Sequence, residues 1–207
     1  TLPVTGSISC LFTPRSLTCL PLTRNLPLTI SSLRNPTFIS ALSAAEIDAA
    51  VDKVAQQLTR DYADKNPIFL MILNGSFMFA SDLLKRATFP AEMASIKLSS
   101  YEGMLTSGKV REVIGLTEDI TDRNVIIIED IVDTGTTMHG LIPELKRKGA
   151  ASVEVCAFLH KPEALIFEDA RPKYIGFEIH NLFVIGYGLD YNGYGRNLPE
   201  IYILKQE

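Results

Sequence analysis

Apolar residues along this chain change their period several times, and each change marks an element. Ile47, Val51, Val54 and Leu58 recur at helical spacing, and Ser43 stands three residues before Glu46. That pairing is a capping box, so 44–62 is predicted as an amphipathic helix. Beyond Asn66-Pro67 the run "IFLMIL" (68–73) is short, apolar and bounded by breakers, the signature of a buried strand. "FMFASDLLKR" (77–86) follows as a helix, "ASIKLSSY" (94–101) as a strand and "EGMLTSGKVRE" as a glycine-containing loop. "NVIIIE" (124–129) is the next strand, "TTMHGLIPELKRKG" (136–149) a helix ended by Gly149, and "SVEVCAFLH" (152–160) another strand. Strands alternating with helices predict an α/β fold, a mainly parallel sheet flanked by helices. No internal repeat is present.

Residues 1–37 carry no helical or alternating period. They are read as a leader of uncertain origin, loose and separate from a domain over 38–207, with an organelle transit peptide as the alternative. Composition sharpens that boundary. Of 207 residues, 46% are hydrophobic and 21% charged, enough to bury the core of one domain. No acid precedes Glu46, so residues 44–207 hold 17 basic against 24 acidic side chains, a net of −7. A body that acidic argues against binding nucleic acid through phosphate neutralisation. No apolar run reaches the length of about 18 residues that a membrane span needs. Cys10, Cys19 and Cys156 form no CxxC pair, which points to a reducing, cytoplasmic compartment.

The chemistry concentrates in "NVIIIEDIVDTGTTMHGL" (124–141). Glu129, Asp130 and Asp133 crowd the mouth of a buried strand although like charges repel. Ligands of parallel sheets bind beyond the carboxyl ends of the strands, where the strand order reverses. Neighbours on a strand point to opposite faces, so Glu129 and Asp130 do different jobs. Thr134, Gly135, Thr136 and Thr137 then offer amides, hydroxyls and a helix N-terminus, the parts of a phosphate cradle. A helix cap accounts for one acid but not three. There is no GxxxxGK[ST] loop, and "GYGLDYNGYG" (186–195) does not match GxGxxG after a strand. A ligand carrying both a phosphate and a hydroxyl-rich, metal-bound portion fits acids beside a phosphate nest.

"VIIIEDIVDTGTT" resembles the ribose-5-phosphate signature of type I phosphoribosyltransferases. Over roughly residues 38–207 the chain is similar to the hypoxanthine-guanine members of that family. The resemblance implies that family's fold, with a small hood over the base site, and transfer from 5-phosphoribosyl-1-pyrophosphate (PRPP) to a 6-oxopurine with Mg²⁺. It implies that Glu129 and Asp130 hold the ribose hydroxyls directly or through hydrated Mg²⁺, and that Asp133 is the general base for the purine proton. Thr134, Gly135, Thr136 and Thr137 then wrap the 5′-phosphate. "LNGS" (73–76) matches the pyrophosphate loop, with Asn74 and Gly75 contributing backbone amides next to a non-proline cis peptide. Many relatives have Lys where Asn74 stands, so no side-chain charge is expected there. "SSYEGMLTSGKVRE" resembles the loop that closes over the reacting centre through Ser100 and Tyr101, excluding water.

By the same resemblance Lys161 donates to the exocyclic oxygen of the purine, Phe183 stacks on its face and Val184 reads its edge through main-chain groups. Asp190 contacts a second Mg²⁺ and lies near the purine, and Arg196 reaches pyrophosphate. His160 receives no role. A homodimer or homotetramer is implied. The readings that remain beside a hypoxanthine-guanine enzyme are a xanthine-preferring enzyme and a PRPP-sensing regulator that binds nucleic acid. The acidic body and the lack of a helix-turn-helix addition argue against the last.

Overall fold

The computed structural model describes residues 38–99 and 111–204. The leader expected over 1–37 and the loop residues Ser100 and Tyr101 lie outside the described residues.

A six-stranded sheet organises the chain. Its strands are β2 (Ile68–Leu73), β3 (Glu92–Ser99), β4 (Arg111–Ile114), β5 (Asn124–Val132), β6 (Ser152–His160) and β7 (Tyr174–Glu178), in the order β4-β3-β2-β5-β6-β7. Five are parallel to their neighbours and β4 runs antiparallel on the β3 edge. From β2 the chain steps outward to β3, then returns to the other side of β2 for β5, β6 and β7. The order therefore reverses between β2 and β5, which makes their carboxyl ends the expected ligand crevice. A second, antiparallel sheet joins β1 (Phe38–Leu42), β9 (Ile201–Leu204) and β8 (Val184–Ile185). It draws the start of the described chain onto its end.

Helices α1 (Ala44–Tyr62) and α2 (Phe77–Arg86) bury Val51, Val54, Phe79 and Leu83 against Ile126, Ile128 and Phe158 of the sheet. Helix α3 (Thr136–Arg147) packs Met138, Leu141 and Leu145 against Val125, Ile127 and Val155 in a separate cluster. With both faces covered, β5 reads as unbroken hydrocarbon rather than as alternation. Each such side chain contributes about 1.5–3 kcal/mol by leaving water. The capping box on α1 is present, Ser43 accepting from the Glu46 amide and Glu46 accepting from the Ser43 amide at 2.8 Å. Among the described residues no helix is long and apolar enough to cross a membrane.

Several boundaries differ from the expectation. β5 does not stop at Glu129 but continues to Val132, because β6 stays in register with it through the pair Val132–His160. Glu129 and Asp130 are thus strand residues, and only Asp133 stands beyond the strand. β3 starts and ends two residues earlier than expected, and the expected loop gives way to β4 from Arg111. α3 ends at Arg147, with Gly149 just outside it.

Candidate active site

Three chain segments meet at the reversal point. The β2–α2 turn begins with a cis peptide between Leu73 and Asn74. Ser76, fully buried, donates its hydroxyl to the Ile72 carbonyl at 2.7 Å and so folds the turn back on its strand. Gly75 then lies so close to β5 that a Cβ there would stand 1.6 Å from Oδ2 of Asp130. The third segment presses on the same point: a Cβ at Gly188 (φ +103°) would fall 2.0 Å from the Gly75 carbonyl oxygen. Both positions require glycine because backbone meets backbone or carboxylate there.

The acids leave β5 in different directions, as their alternation requires. Asp130 faces Gly75 and feels the Arg196 guanidinium. Glu129 lines a pocket of about 90 Å³ with Asp133, Thr134, Gly135, Thr136 and Thr137. Burial pushes the Glu129 carboxyl well above the usual carboxylate range, and the charge of Asp130 adds to the effect. Burial raises Asp130 as well, against the Ile131 amide at 2.9 Å and Arg196, which favour its charged form. Oε2 of Glu129 is buried without a hydrogen-bond partner.

Two adjacent carboxyls held up by burial, one with an orphaned oxygen, are suitable donors for a hard divalent cation. Among the described residues no three Asp, Glu, His or Cys side chains converge as a closed cage. A cation that keeps waters and substrate phosphates in its shell needs only one or two carboxylates, so the residues fit such an ion.

The cradle is built at the N-terminus of α3. Gly135 is its N-cap, Thr134 and Thr136 share a hydroxyl hydrogen bond of 2.9 Å, and the Ile166 amide donates to the Thr134 carbonyl at 3.0 Å. The segment after β6 thereby forms a wall, with Leu165 and Ala170 against Gly135. Just beyond the strand ends, Lys161 Nζ donates to Asp133 Oδ2 at 2.7 Å. Lys161 is buried with its side chain 9% exposed, whereas Asp133 is 43% exposed. A surface position, the ordinary expectation for a lone lysine, is thus ruled out here.

The segment 186–196 closes on itself. Arg196 pairs with Asp190 and donates to the Gly188 carbonyl at 2.7 Å, while the Gly193 amide donates to the other Asp190 oxygen, also at 2.7 Å. The Tyr187 hydroxyl donates to Asp82 of α2 at 2.8 Å and anchors the loop. Val184 opens strand β8 of the small sheet, and Phe183 stands just before it. Phe183 is 46% exposed and rests edge-on against Tyr191, whose ring in turn meets Phe38; Val184 is buried and pairs with Ile203.

The described site residues therefore group as Asn74–Gly75 with Asp130 and Arg196, Glu129 with the cradle, Asp133 with Lys161, and Asp190 with Arg196. Sequence reasoning overlooked Ser76, Gly188 and the Tyr187–Asp82 anchor. The glycine run 186–195 was the available signal for Gly188, because glycines outside a dinucleotide loop still mark close backbone approach.

Residues 42–192 match the model of the phosphoribosyl transferase domain. The chain belongs to the phosphoribosyltransferase family. The match includes every site residue assigned between Asn74 and Asp190 and leaves Arg196 just outside. A hypoxanthine-guanine phosphoribosyltransferase of Streptococcus pneumoniae is 44% identical over 167 residues, 80% of this chain and 92% of that protein. A hypoxanthine-guanine-xanthine phosphoribosyltransferase of Tritrichomonas foetus is 38% identical over 78% of this chain and 88% of its own length. Among solved structures, a hypoxanthine phosphoribosyltransferase of Staphylococcus aureus superposes with a TM-score of 0.77 at 38% identity, covering 81% of this chain and 91% of that one. The sheet, the crevice and the small second sheet are thus those of a type I phosphoribosyltransferase.

Proposed function

We propose that this chain transfers the 5-phosphoribosyl group of PRPP to hypoxanthine or guanine, giving IMP or GMP and pyrophosphate, a purine-salvage reaction. The observation that carries the reading is the buried Lys161 beside the half-exposed Asp133. A 6-oxopurine presents a carbonyl oxygen next to a ring N–H on one edge. An ammonium donor 2.7 Å from a carboxylate acceptor matches that order. Adenine offers an amino group where the ammonium also needs an acceptor, and a buried mismatch of that kind discriminates strongly.

The remaining roles are those that the family resemblance implies. Amides and hydroxyls of Thr134, Gly135, Thr136 and Thr137 hold the 5′-phosphate at the α3 N-terminus. Glu129 and Asp130 take the ribose hydroxyls, Phe183 stacks on the base and Val184 reads its far edge through main-chain groups. Backbone amides of Asn74 and Gly75, with Arg196, receive the pyrophosphate. Asp133 accepts the ring proton as the base nitrogen attacks the anomeric carbon. Ser100 and Tyr101 belong to the loop that excludes water from that centre. With Mg²⁺ bound beside Glu129, Asp130 and Asp190, charge building on the departing pyrophosphate is neutralised. Catalysis rests on positioning and electrostatics, with no covalent nucleophile.

The test is nucleotide formation from PRPP with hypoxanthine, guanine, xanthine, adenine and uracil offered separately, with and without Mg²⁺. Turnover confined to 6-oxopurines and dependent on Mg²⁺ is expected, and the relative rates rank the three bases. PRPP binding without turnover of any base would contradict an enzyme and favour a sensor.

A further inference from the structure

Of the three histidines, His139 and His180 have side chains 48% and 83% exposed, whereas His160 is fully buried. His160 stands between the two residues that read the purine. It precedes Lys161 in the chain and pairs across the β5–β6 ladder with Val132, which precedes Asp133. The Val132 carbonyl accepts two hydrogen bonds, from the Lys161 amide at 2.9 Å and from His160 Nδ1 at 3.2 Å. A carbonyl can only accept, so Nδ1 is the donor in that bond. The other ring nitrogen, Nε2, is buried and has no hydrogen-bond partner.

A half-satisfied imidazole in the interior works against stability, and an apolar side chain of similar volume would fill the space without that cost. The polar residue is explained by what its Nδ1–H does. Beyond Val132 and His160 the ladder ends and both chains become loops, one carrying Asp133 and the other Lys161. A carbonyl held only by the ladder amide is free to rock about that bond. Held from a second direction as well, the Val132–Asp133 peptide is restrained, and with it the direction in which the Asp133 Cα–Cβ bond leaves the strand end.

We propose that His160 is a positioning residue for the purine-reading pair, holding the Val132 carbonyl so that Asp133 leaves the strand end aimed at Lys161 and the base. The proposal rests on the roles given above to Asp133 and Lys161. A displacement of a general base by even about 1 Å can cost on the order of a hundredfold in rate, so the lost bond reads out in catalysis.

Three substitutions separate position from packing. The side-chain nitrogen of asparagine lies where Nδ1 does, so His160→Asn keeps the donor but leaves part of the ring volume empty. Glutamine reaches the Nε2 position instead, and leucine fills the volume with no donor. Steady-state kinetics with PRPP, hypoxanthine and adenine, alongside thermal unfolding, should therefore rank activity and stability in opposite orders. His160→Asn is expected to be less stable yet within about threefold of the parent in kcat/KM for hypoxanthine. His160→Leu is expected to unfold no lower than the parent, to lose roughly tenfold or more in that kcat/KM at unchanged KM for PRPP, and to discriminate less against adenine. Should the leucine variant fail to fold, the comparison of His160→Gln with His160→Asn decides, glutamine being expected to be impaired. Parental kinetics and base preference in His160→Leu, or activity that merely tracks stability across the set, would overturn the proposal. Asp133→Asn and Lys161→Ala serve as references. If both lose activity while His160→Leu does not, His160 alone is misassigned; if neither does, the purine-reading assignment falls and the proposal with it.

Discussion

At the scale of single residues, the site depends on contacts too close for any side chain larger than hydrogen. Gly188 touches the Gly75 carbonyl and Gly75 touches Asp130, so the β2–α2 turn, the strand-end acids and the 186–196 loop are mutually fixed. Gly188→Ala must move backbone, which is expected to cost about 1–3 kcal/mol in urea unfolding and to raise KM for PRPP. Tyr187 and Asp82 support the same loop from α2. Burial alone would raise the Asp82 carboxyl, but hydrogen bonds from Lys85 and Tyr187 hold it below the usual carboxylate value. A depressed folded-state pKa contributes stability that is present above the unfolded-state value and lost as pH falls through the folded one. The stability deficit of Tyr187→Phe should therefore be full at neutral pH and shrink below about pH 4; a deficit that grows on acidification would contradict the assignment.

At the scale of elements, legibility in the sequence followed the length and regularity of each segment. Helix α1, strand β2, helix α2 and strand β6 were read with their observed boundaries, because capping and uninterrupted apolar periods are local signals. Removing the N-cap in Ser43→Ala should cost α1 about 1 kcal/mol in chemical denaturation. Strand β5 was read three residues short because charge was taken as its end. The pairing with β6 that prolongs it is invisible until the partner is in place. Strands β1, β4, β7, β8 and β9 went unread for a related reason: five, four, five, two and four residues long, they are strands only because separate segments meet. The strand-end acids and the Thr134–Thr137 turn were legible as local motifs, whereas Lys161 was read only through the family resemblance and would otherwise have passed for a surface residue. What joins them, Gly188 against Gly75 and His160 beneath Val132, was not legible, since it depends on approach in space.

At the scale of the molecule, the reactive groups gather at one end of the sheet, where its order reverses, and the core is built up to that end. Phe158 shows the continuity: fully buried, it meets Phe79 of α2 at 5.5 Å, Phe177 of β7 at 5.8 Å and Tyr187 of the site loop at 4.7 Å between ring centroids. Phe158→Ala should destabilise the protein by about 3–5 kcal/mol and should loosen the 186–196 loop at the same time, seen as faster amide exchange there than in α1.

The role proposed for Asp133, beside a buried Lys161, is to take the purine proton during phosphoribosyl transfer. Its most direct test is kcat/KM for hypoxanthine in Asp133→Asn against the parent, at saturating PRPP and Mg²⁺. The asparagine keeps shape and loses the base, so the value should fall by about 10²–10⁴, with KM for PRPP nearly unchanged. A variant within a few-fold of the parent would show that the proton leaves by another route.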